Sequence, residues 1–114
     1  MGIDWLNAFF TACDGKCKVD FVAFHWYSDA SETAYFMQHV SDVIAAAAAA
    51  GVSKVWLTEF GVTGGDASTF LSTVMPFLES TTAVEKYAYF MCADPETLSG
   101  SSLNSVGEIY ASTT

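Results

Sequence analysis

The spacing of hydrophobic residues divides the chain into helical and strand-like stretches. Apolar side chains recur at three- and four-residue steps over residues 4–13, 35–47 and 70–78, and this spacing predicts three amphipathic helices. A shorter stretch near the C-terminus predicts a final helix at about 103–111.

Three other runs are rich in β-branched and aromatic residues and predict strands at 19–27, 54–60 and 84–92. The first run is apolar almost throughout, which is typical of a strand covered on both faces.

Polar and special residues mark the limits of the predicted helices. Asp29 and Glu32 resemble a capping box. In this motif the Asp29 side chain would accept from the backbone of the first helical turn, and the Glu32 side chain would reach back toward the start of the helix. The six alanines at 45–50 favour a helix, and Gly51 is expected to end it. Pro76 should kink the following helix or restart it near its end.

The predicted order is one helix followed by three strand-helix units. Strands separated by helices of this length almost always lie parallel, with right-handed crossovers. We therefore expect an α/β fold in a single domain, residues 1–114.

Chemically distinctive side chains follow the predicted strands. His25, Trp26 and Tyr27 close the first strand, Glu59 closes the second, and residues 91–94 close the third. Because ligands gather at the carboxyl ends of parallel strands, we expect these side chains to meet at one site.

Glu59 is the most informative of these residues, since it lies in an otherwise apolar run, residues 55–61. Burying an ionised carboxylate costs roughly several kcal/mol unless a neighbouring group pairs with the charge or donates hydrogen bonds to it. A functional carboxylate is therefore a natural interpretation of this position.

Each candidate also has a purely structural interpretation. Glu59 could cap a helix or pair with a lysine, and His25 could be a hydrogen-bonded core histidine. Trp26 and Tyr27 could serve packing alone, and Asp29 fits helix capping better than chemistry.

Composition narrows the range of partners. Thirteen acidic residues face four lysines and no arginine, and the formal charge of −9 disfavours nucleic acid and anionic lipid surfaces. No apolar run approaches the ~20 residues needed to span a bilayer. Neutral sugars, which aromatic rings and carboxylates bind well, remain compatible.

The three cysteines do not predict a metal site. Cys13 and Cys17 are close enough for a local disulfide, but the spacing does not establish one, and Cys92 lies far away. His25 and His39 lie in unrelated segments, so no four-ligand zinc pattern is complete. We expect no metal and no cofactor.

Four sequence blocks together carry a family resemblance. They are Trp-Leu-Asn-Ala-Phe-Phe at 5–10, Val-Asp-Phe-Val-Ala-Phe-His-Trp-Tyr at 19–27, Trp-Leu-Thr-Glu-Phe-Gly at 56–61 and Tyr-Ala-Tyr-Phe-Met at 87–91. In this order and spacing the chain resembles the fungal glycosyl hydrolases of glycoside hydrolase family 128.

This resemblance implies three consecutive units of a (β/α)8 TIM-type barrel, strands six to eight, preceded by a helix. It implies a β-1,3-glucan substrate cleaved with retention of configuration. Glu59 matches the nucleophile on the seventh strand. His25, Trp26 and Tyr27 match the substrate-binding end of the sixth strand, and Tyr89 falls on the eighth, near an aromatic sugar platform.

The match covers only the C-terminal part of the family's fold. The acid/base glutamate of the family belongs to the fourth strand, which has no counterpart here, and the nearby Asp29 and Asp94 are poor substitutes. We therefore expect weak or no hydrolysis by the chain alone. The alternative is a non-catalytic, lectin-like or immunomodulatory protein that binds glycans or cells.

Two further expectations concern assembly and location. A partial barrel leaves one sheet face open, so we expect a homodimer formed through that face or a sheet edge, or a rearranged helix that covers the face. The N-terminus lacks a secretory signal, so the protein is cytosolic or its signal lies outside this sequence. The family resemblance implies a secreted or cell-wall location.

Overall fold

A computed structural model describes residues 2–113 of the chain. It contains four helices, a three-stranded sheet and a small two-stranded hairpin within those residues. The elements in chain order are α1 (Ile3–Cys13), β1 (Val22–Asp29), α2 (Thr33–Ala49), β2 (Val55–Gly64), α3 (Ala67–Ser80), β3 (Val84–Tyr89), β4 (Leu98–Ser99), β5 (Ser102–Leu103) and α4 (Ser105–Ser112).

The main sheet has the strand order β1-β2-β3, and both pairings are parallel. This confirms the predicted α/β fold with strands joined by helical crossovers. The antiparallel β4–β5 hairpin was not predicted, because its strands are too short to show a hydrophobic period.

The core lies between the sheet and the helices α2 and α3. Its centre is aromatic: the Trp26 ring stacks on Phe70 at a centroid distance of 5.3 Å and meets Phe36 edge-on at 5.0 Å. Phe60 completes this group and is fully buried, as are Phe36 and Phe70. Burial of such large rings is the main source of the fold's stability.

The opposite face of the sheet is open. Burial along β1 alternates, with Val22 and Trp26 buried and Ala23, His25 and Tyr27 exposed. The expectation that the first strand is covered on both faces was therefore wrong. Its apolar composition reflects small and aromatic residues on the open face rather than a second layer of helices.

The end of β1 also differs from the prediction. β1 continues to Asp29, and α2 begins only at Thr33, so Asp29 does not cap that helix. Its Oδ1 instead accepts from the backbone N–H and the hydroxyl of Ser31, at 3.0 and 2.8 Å. The N-cap of α2 is Glu32, whose side chain makes no capping bond.

The second strand is longer than predicted, and the following helix is continuous. β2 extends through Gly64, and Asp66 caps α3 by accepting from the backbone of Ser68. A single helix runs through Pro76, so of the two expectations for this residue the restart was wrong, and the kink stays a prediction.

A disulfide joins Cys13 at the end of α1 to Cys17, whereas Cys92 is free and exposed. Between the paired cysteines, Asp14 and Gly15 both adopt positive φ angles of 47° and 71°. The left-handed turn brings the two sulfur atoms together and ends the helix.

The buried position of Trp26 yields a stability prediction. Trp26→Ala should lower the free energy of unfolding by about 3–5 kcal/mol, because it leaves a cavity against Phe70. Trp5→Ala is the matched control, since Trp5 is 58% exposed, and it should change stability by less than about 0.5–1 kcal/mol. Urea denaturation of both variants checks this, and equal losses would contradict the packing of Trp26 against Phe70.

Candidate active site

A β-bulge decides where the Glu59 side chain points. The pairing of β2 with β1 skips Thr58, because Leu57 and Glu59 lie opposite consecutive residues of β1. Strict alternation would place Glu59 on the helix side, together with Leu57. With the extra residue, Phe60 takes the fully buried position and Glu59 faces the open side of the sheet.

Two side chains of β1 approach the turned carboxylate. The Tyr27 hydroxyl donates a hydrogen bond to Oε2 of Glu59 at 2.8 Å, and Nδ1 of His25 lies 3.7 Å from the same oxygen. Neither contact involves Oε1. The predicted residues Glu59, His25 and Tyr27 therefore form one cluster at the carboxyl end of the sheet.

The Tyr27–Glu59 contact changes the acidity of the phenol. Partial burial, followed by the hydrogen bond and charge of Glu59, raises the pKa of Tyr27 to about 12. The phenol therefore stays protonated at neutral pH and acts as a donor to the carboxylate.

The Tyr27 ring is held by β2 and by the residue after β3. A Cβ atom built on Gly61 would lie 3.1 Å from Cε1 of Tyr27 and 3.0 Å from the carbonyl oxygen of Phe90. Gly61 thus allows the ring and the Phe90 backbone to approach closely. The Phe90 ring meets Tyr27 edge-on at 6.2 Å and is 46% exposed.

The structure separates the other predicted substrate-binding residues from this cluster. Trp26 is only 3% exposed and packs in the core on the opposite face of the sheet. Tyr89 is half-buried and packs against Phe60 at 5.2 Å and Tyr110 at 6.1 Å. The exposed ring beside Tyr27 belongs instead to Phe90.

Sequence reasoning missed Phe90, although a signal was present. In a strand that alternates between two faces, a residue next to a core residue faces the other side. The Tyr-Ala-Tyr-Phe order leaves open which of the adjacent aromatics is buried. Register against Phe60 decides this, because Phe60 pairs with Tyr89.

The two aspartates considered as substitute acids are engaged elsewhere. Asp29 binds Ser31 through its Oδ1, and these hydrogen bonds hold the pKa of its carboxyl below the ordinary value. Asp94 Oδ2 accepts from the backbone N–H of Gly100 at 2.8 Å. Each carboxylate therefore organises its own turn.

Near the N-terminal end of β2, the open face carries a sandwich of three side chains, Phe21, Trp56 and Lys86. The Phe21 ring stacks on Trp56 at 3.8 Å, and Nζ of Lys86 lies 4.4 Å from the indole centroid. The indole N–H donates to Glu85 at 2.8 Å. A bulge in β3 near Glu85 brings both charged residues against the ring.

Within residues 2–113, no group of three potential ligand side chains could hold a metal ion. The helices in the same range are too short or too polar to cross a membrane. The chemistry available at the open face is thus that of a carboxylate, a phenol, an imidazole and aromatic rings.

Comparison with known proteins supplies the context for this cluster. Residues 1–110 match the family described as the glycosyl hydrolase catalytic core. The chain belongs to this family. Among curated proteins, alkali-sensitive linkage protein 1 of Schizosaccharomyces pombe is 34% identical over 131 residues, which cover 98% of this chain and 23% of that protein.

Solved structures identify a domain of the glycoside hydrolase family 128 type. A curdlan-specific exo-β-1,3-glucanase of that family from Blastomyces gilchristii superposes with a TM-score of 0.88 at 37% identity, over 97% of this chain and 48% of that enzyme. An Amycolatopsis mediterranei endo-β-1,3-glucanase, crystallised with laminaripentaose, gives a TM-score of 0.80 at 23% identity and supports the fold alone. This chain covers 55% of the Amycolatopsis mediterranei enzyme and therefore spans about half the length of both enzymes.

The Tyr27–Glu59 contact predicts a change in tyrosine titration. In Glu59→Gln the pKa of Tyr27 should fall from about 12 toward 10.0 while remaining above it, because burial persists. Tyrosinate absorbance, with Tyr27→Phe as the reference for subtraction, measures this change.

The same shift has a consequence for stability. Because the folded-state pKa exceeds 10.0, the protonated phenol stabilises the fold below about pH 10, and this contribution is lost as the pH rises through about 12. If the Tyr27 phenol titrated identically in the wild type and in Glu59→Gln, the result would contradict the hydrogen bond between Tyr27 and Glu59.

Proposed function

We propose that the open end of the sheet is the nucleophile-bearing part of a retaining β-1,3-glucan hydrolase, with Glu59 as the nucleophile. The observation that carries the proposal is the bulge that turns Glu59 out of the core toward Tyr27 and His25. In this proposal the three parallel units correspond to strands six to eight of a (β/α)8 barrel. The glucan substrate is inferred from the β-1,3-glucanases that share the fold.

The geometry suits attack by one carboxylate oxygen. The Tyr27 hydroxyl donates to Oε2 of Glu59, and His25 lies 3.7 Å from the same oxygen, which leaves Oε1 to attack the anomeric carbon of a bound glucosyl unit. Attack breaks the bond to the glycosidic oxygen and forms a glucosyl ester of Glu59. Water then cleaves the ester, and the two inversions give net retention.

The departing oxygen needs a proton from a second carboxylic acid, about 5–5.5 Å from the nucleophile. Asp29 and Asp94 are both committed to turns, so we assign this role to neither. In our proposal the acid comes from a polypeptide segment other than residues 2–113. Without it, hydrolysis should be slower by about 10²–10⁴-fold.

Phe90 is our candidate for the sugar platform of this site. Its ring is exposed and lies beside Tyr27, and its backbone N–H donates to the carbonyl of Phe60, the residue after Glu59. Apolar faces of sugar rings pack on aromatic rings, and the net charge of −9 favours a neutral ligand over an anionic one.

A second candidate function is glycan or cell binding without catalysis, by a homodimer. The observation that favours it is the open face, where Tyr27 and Phe90 are exposed beside each other. A second copy placed face to face would cover these side chains. Light scattering distinguishes this candidate, since it predicts a dimer at micromolar concentration, whereas a monomer opposes it.

A secreted or cell-wall location is part of the same proposal. The Cys13–Cys17 disulfide supports it, because disulfides persist mainly in oxidising compartments.

An activated substrate tests Glu59 without the missing acid. A 2,4-dinitrophenyl β-glucoside carries a leaving group that departs without protonation, so the wild type should release dinitrophenolate and accumulate a glucosyl ester. Intact-mass spectrometry should show the added glucosyl mass, and peptide mapping should place it on Glu59.

Glu59→Gln is the matched control and should show neither release nor adduct. Wild-type protein that forms no adduct, or a Gln variant that reacts equally, would contradict the nucleophile assignment.

Phe90→Ala tests the sugar platform. Binding of laminari-oligosaccharides should weaken by about 2–12-fold, since an aromatic ring contact is worth about 0.5–1.5 kcal/mol. Tyr35→Ala is the control, because Tyr35 is 53% exposed and lies on α2. Isothermal titration calorimetry should show unchanged affinity for the control, and equal losses in both variants would contradict the platform.

A further inference from the structure

The connection between α1 and β1 is exposed over most of its length. Residues 14–18 are all exposed, and the side chains of Asp14 and Lys16 are each 81% accessible. A cleft of about 740 Å³ lies between this segment, α1 and the end of α2, so the segment has little packing beneath it. Exposed segments of this kind are where endoproteases preferentially cut folded proteins.

The chain offers only four peptide bonds to a protease that cleaves after basic residues. It contains no arginine, and its lysines are Lys16, Lys18, Lys54 and Lys86. Two of these bonds belong to the sheet. The Lys54 carbonyl accepts from the N–H of Val22 in β1 at 3.0 Å, and Lys86 lies within β3. Cleavage there would require the strands to separate, which leaves the two lysines before β1.

Of these two bonds, the bond after Lys16 is the more accessible. Val19, which follows Lys18, is half-buried and packs against a buried apolar cluster that includes Val22. Lys16 and Cys17 are both exposed. The Lys16–Cys17 peptide bond is therefore the candidate for cleavage.

The Cys13–Cys17 disulfide opposes cleavage of this bond. Endoproteases bind their substrates as extended chains, and the four residue steps from Cys13 to Cys17 would span about 13–14 Å in that form. The disulfide instead holds the two Cα atoms 5.3 Å apart. Asp14 and Gly15, which lie between them, also have positive φ angles, whereas an extended chain has negative ones.

We propose that the Lys16–Cys17 bond is a processing site for a trypsin-like endoprotease, and that the disulfide prevents cleavage until a dithiol reduces it. Once the disulfide is reduced, residues 13–19 can extend and enter the protease cleft. The protease then adds water across the Lys16–Cys17 bond, which leaves a carboxylate on Lys16 and an amine on Cys17.

Reduction proceeds by thiol–disulfide exchange. One thiolate of the dithiol attacks a sulfur of the disulfide, and the other cysteine leaves as a thiolate that takes up a proton. The second thiol of the reductant then displaces the first from the mixed disulfide. The protein gains two electrons and two protons, and the reductant becomes a cyclic disulfide.

Cleavage would divide the chain into a part that carries α1 and a part that carries the sheet. In the reduced protein, α1 would then be held only by non-covalent packing of Ile3, Leu6 and Phe10 on the apolar cluster. The cut precedes β1, so His25, Tyr27 and Glu59 would stay on one polypeptide.

Limited digestion with trypsin tests the proposal. One sample is reduced with dithiothreitol, both samples are treated with iodoacetamide and freed of reagents, and peptide masses locate each cut. We expect cleavage after Lys16 to be at least about 10-fold faster in the reduced chain, because loss of the cross-link raises the population of the open segment. Cleavage after Lys54 and Lys86 should stay slow in both samples.

Two results would overturn the proposal at this stage. Equal rates of cleavage after Lys16 in both samples would show that the disulfide has no influence on it. Cleavage of the reduced chain after Lys54 as fast as after Lys16 would show that reduction acts by unfolding the sheet.

Variants locate the bond and separate reduction from the reagents. Cys13→Ser combined with Cys17→Ser should be cut as fast as the reduced chain, with or without dithiothreitol. Lys16→Gln should abolish the fast cleavage, whereas Lys86→Gln, which makes the same change of charge in β3, should leave it unchanged. Fast cleavage of reduced Lys16→Gln after Lys18 would overturn the assignment of the bond.

Discussion

The extra residue at Thr58 in β2 is the constraint on which the site depends. Leu57 and Phe60 are three residues apart, and in a regular strand residues at an odd spacing face opposite sides of the sheet. A regular strand could therefore not bury both side chains in the same core. The bulge resolves this conflict and leaves two neighbouring side chains, Thr58 and Glu59, on the open side. The same backbone irregularity therefore completes the aromatic core and exposes the carboxylate.

Core and site are linked through single strands. In β1, Trp26 packs against Phe70 while the adjacent Tyr27 donates to Glu59. After β3, the half-buried Tyr89 packs on Phe60, and the next residue, Phe90, lies beside Tyr27. A strand whose core residue is tightly packed has little freedom to rotate. The packing of Trp26 and Tyr89 in the core therefore also fixes the positions of the adjacent Tyr27 and Phe90 on the open face.

The sequence predicted element type well and side-chain direction poorly. Apolar periodicity located the strands and helices, and their order predicted the parallel sheet. It also gathered His25, Tyr27 and Glu59 at one end of that sheet. Burial of Trp26 and exposure of Phe90 depend on register, which is set by pairing between distant strands and leaves no trace in local spacing. The role of Asp29 was missed for a related reason, since β1 continues past its apolar run.

The sandwich of Phe21, Trp56 and Lys86 has a consequence for anything that enters the open face. Both faces of the indole are already occupied, and its N–H is bound to Glu85. The sandwich therefore leaves no free indole face on which a ligand entering the open side of the sheet could stack.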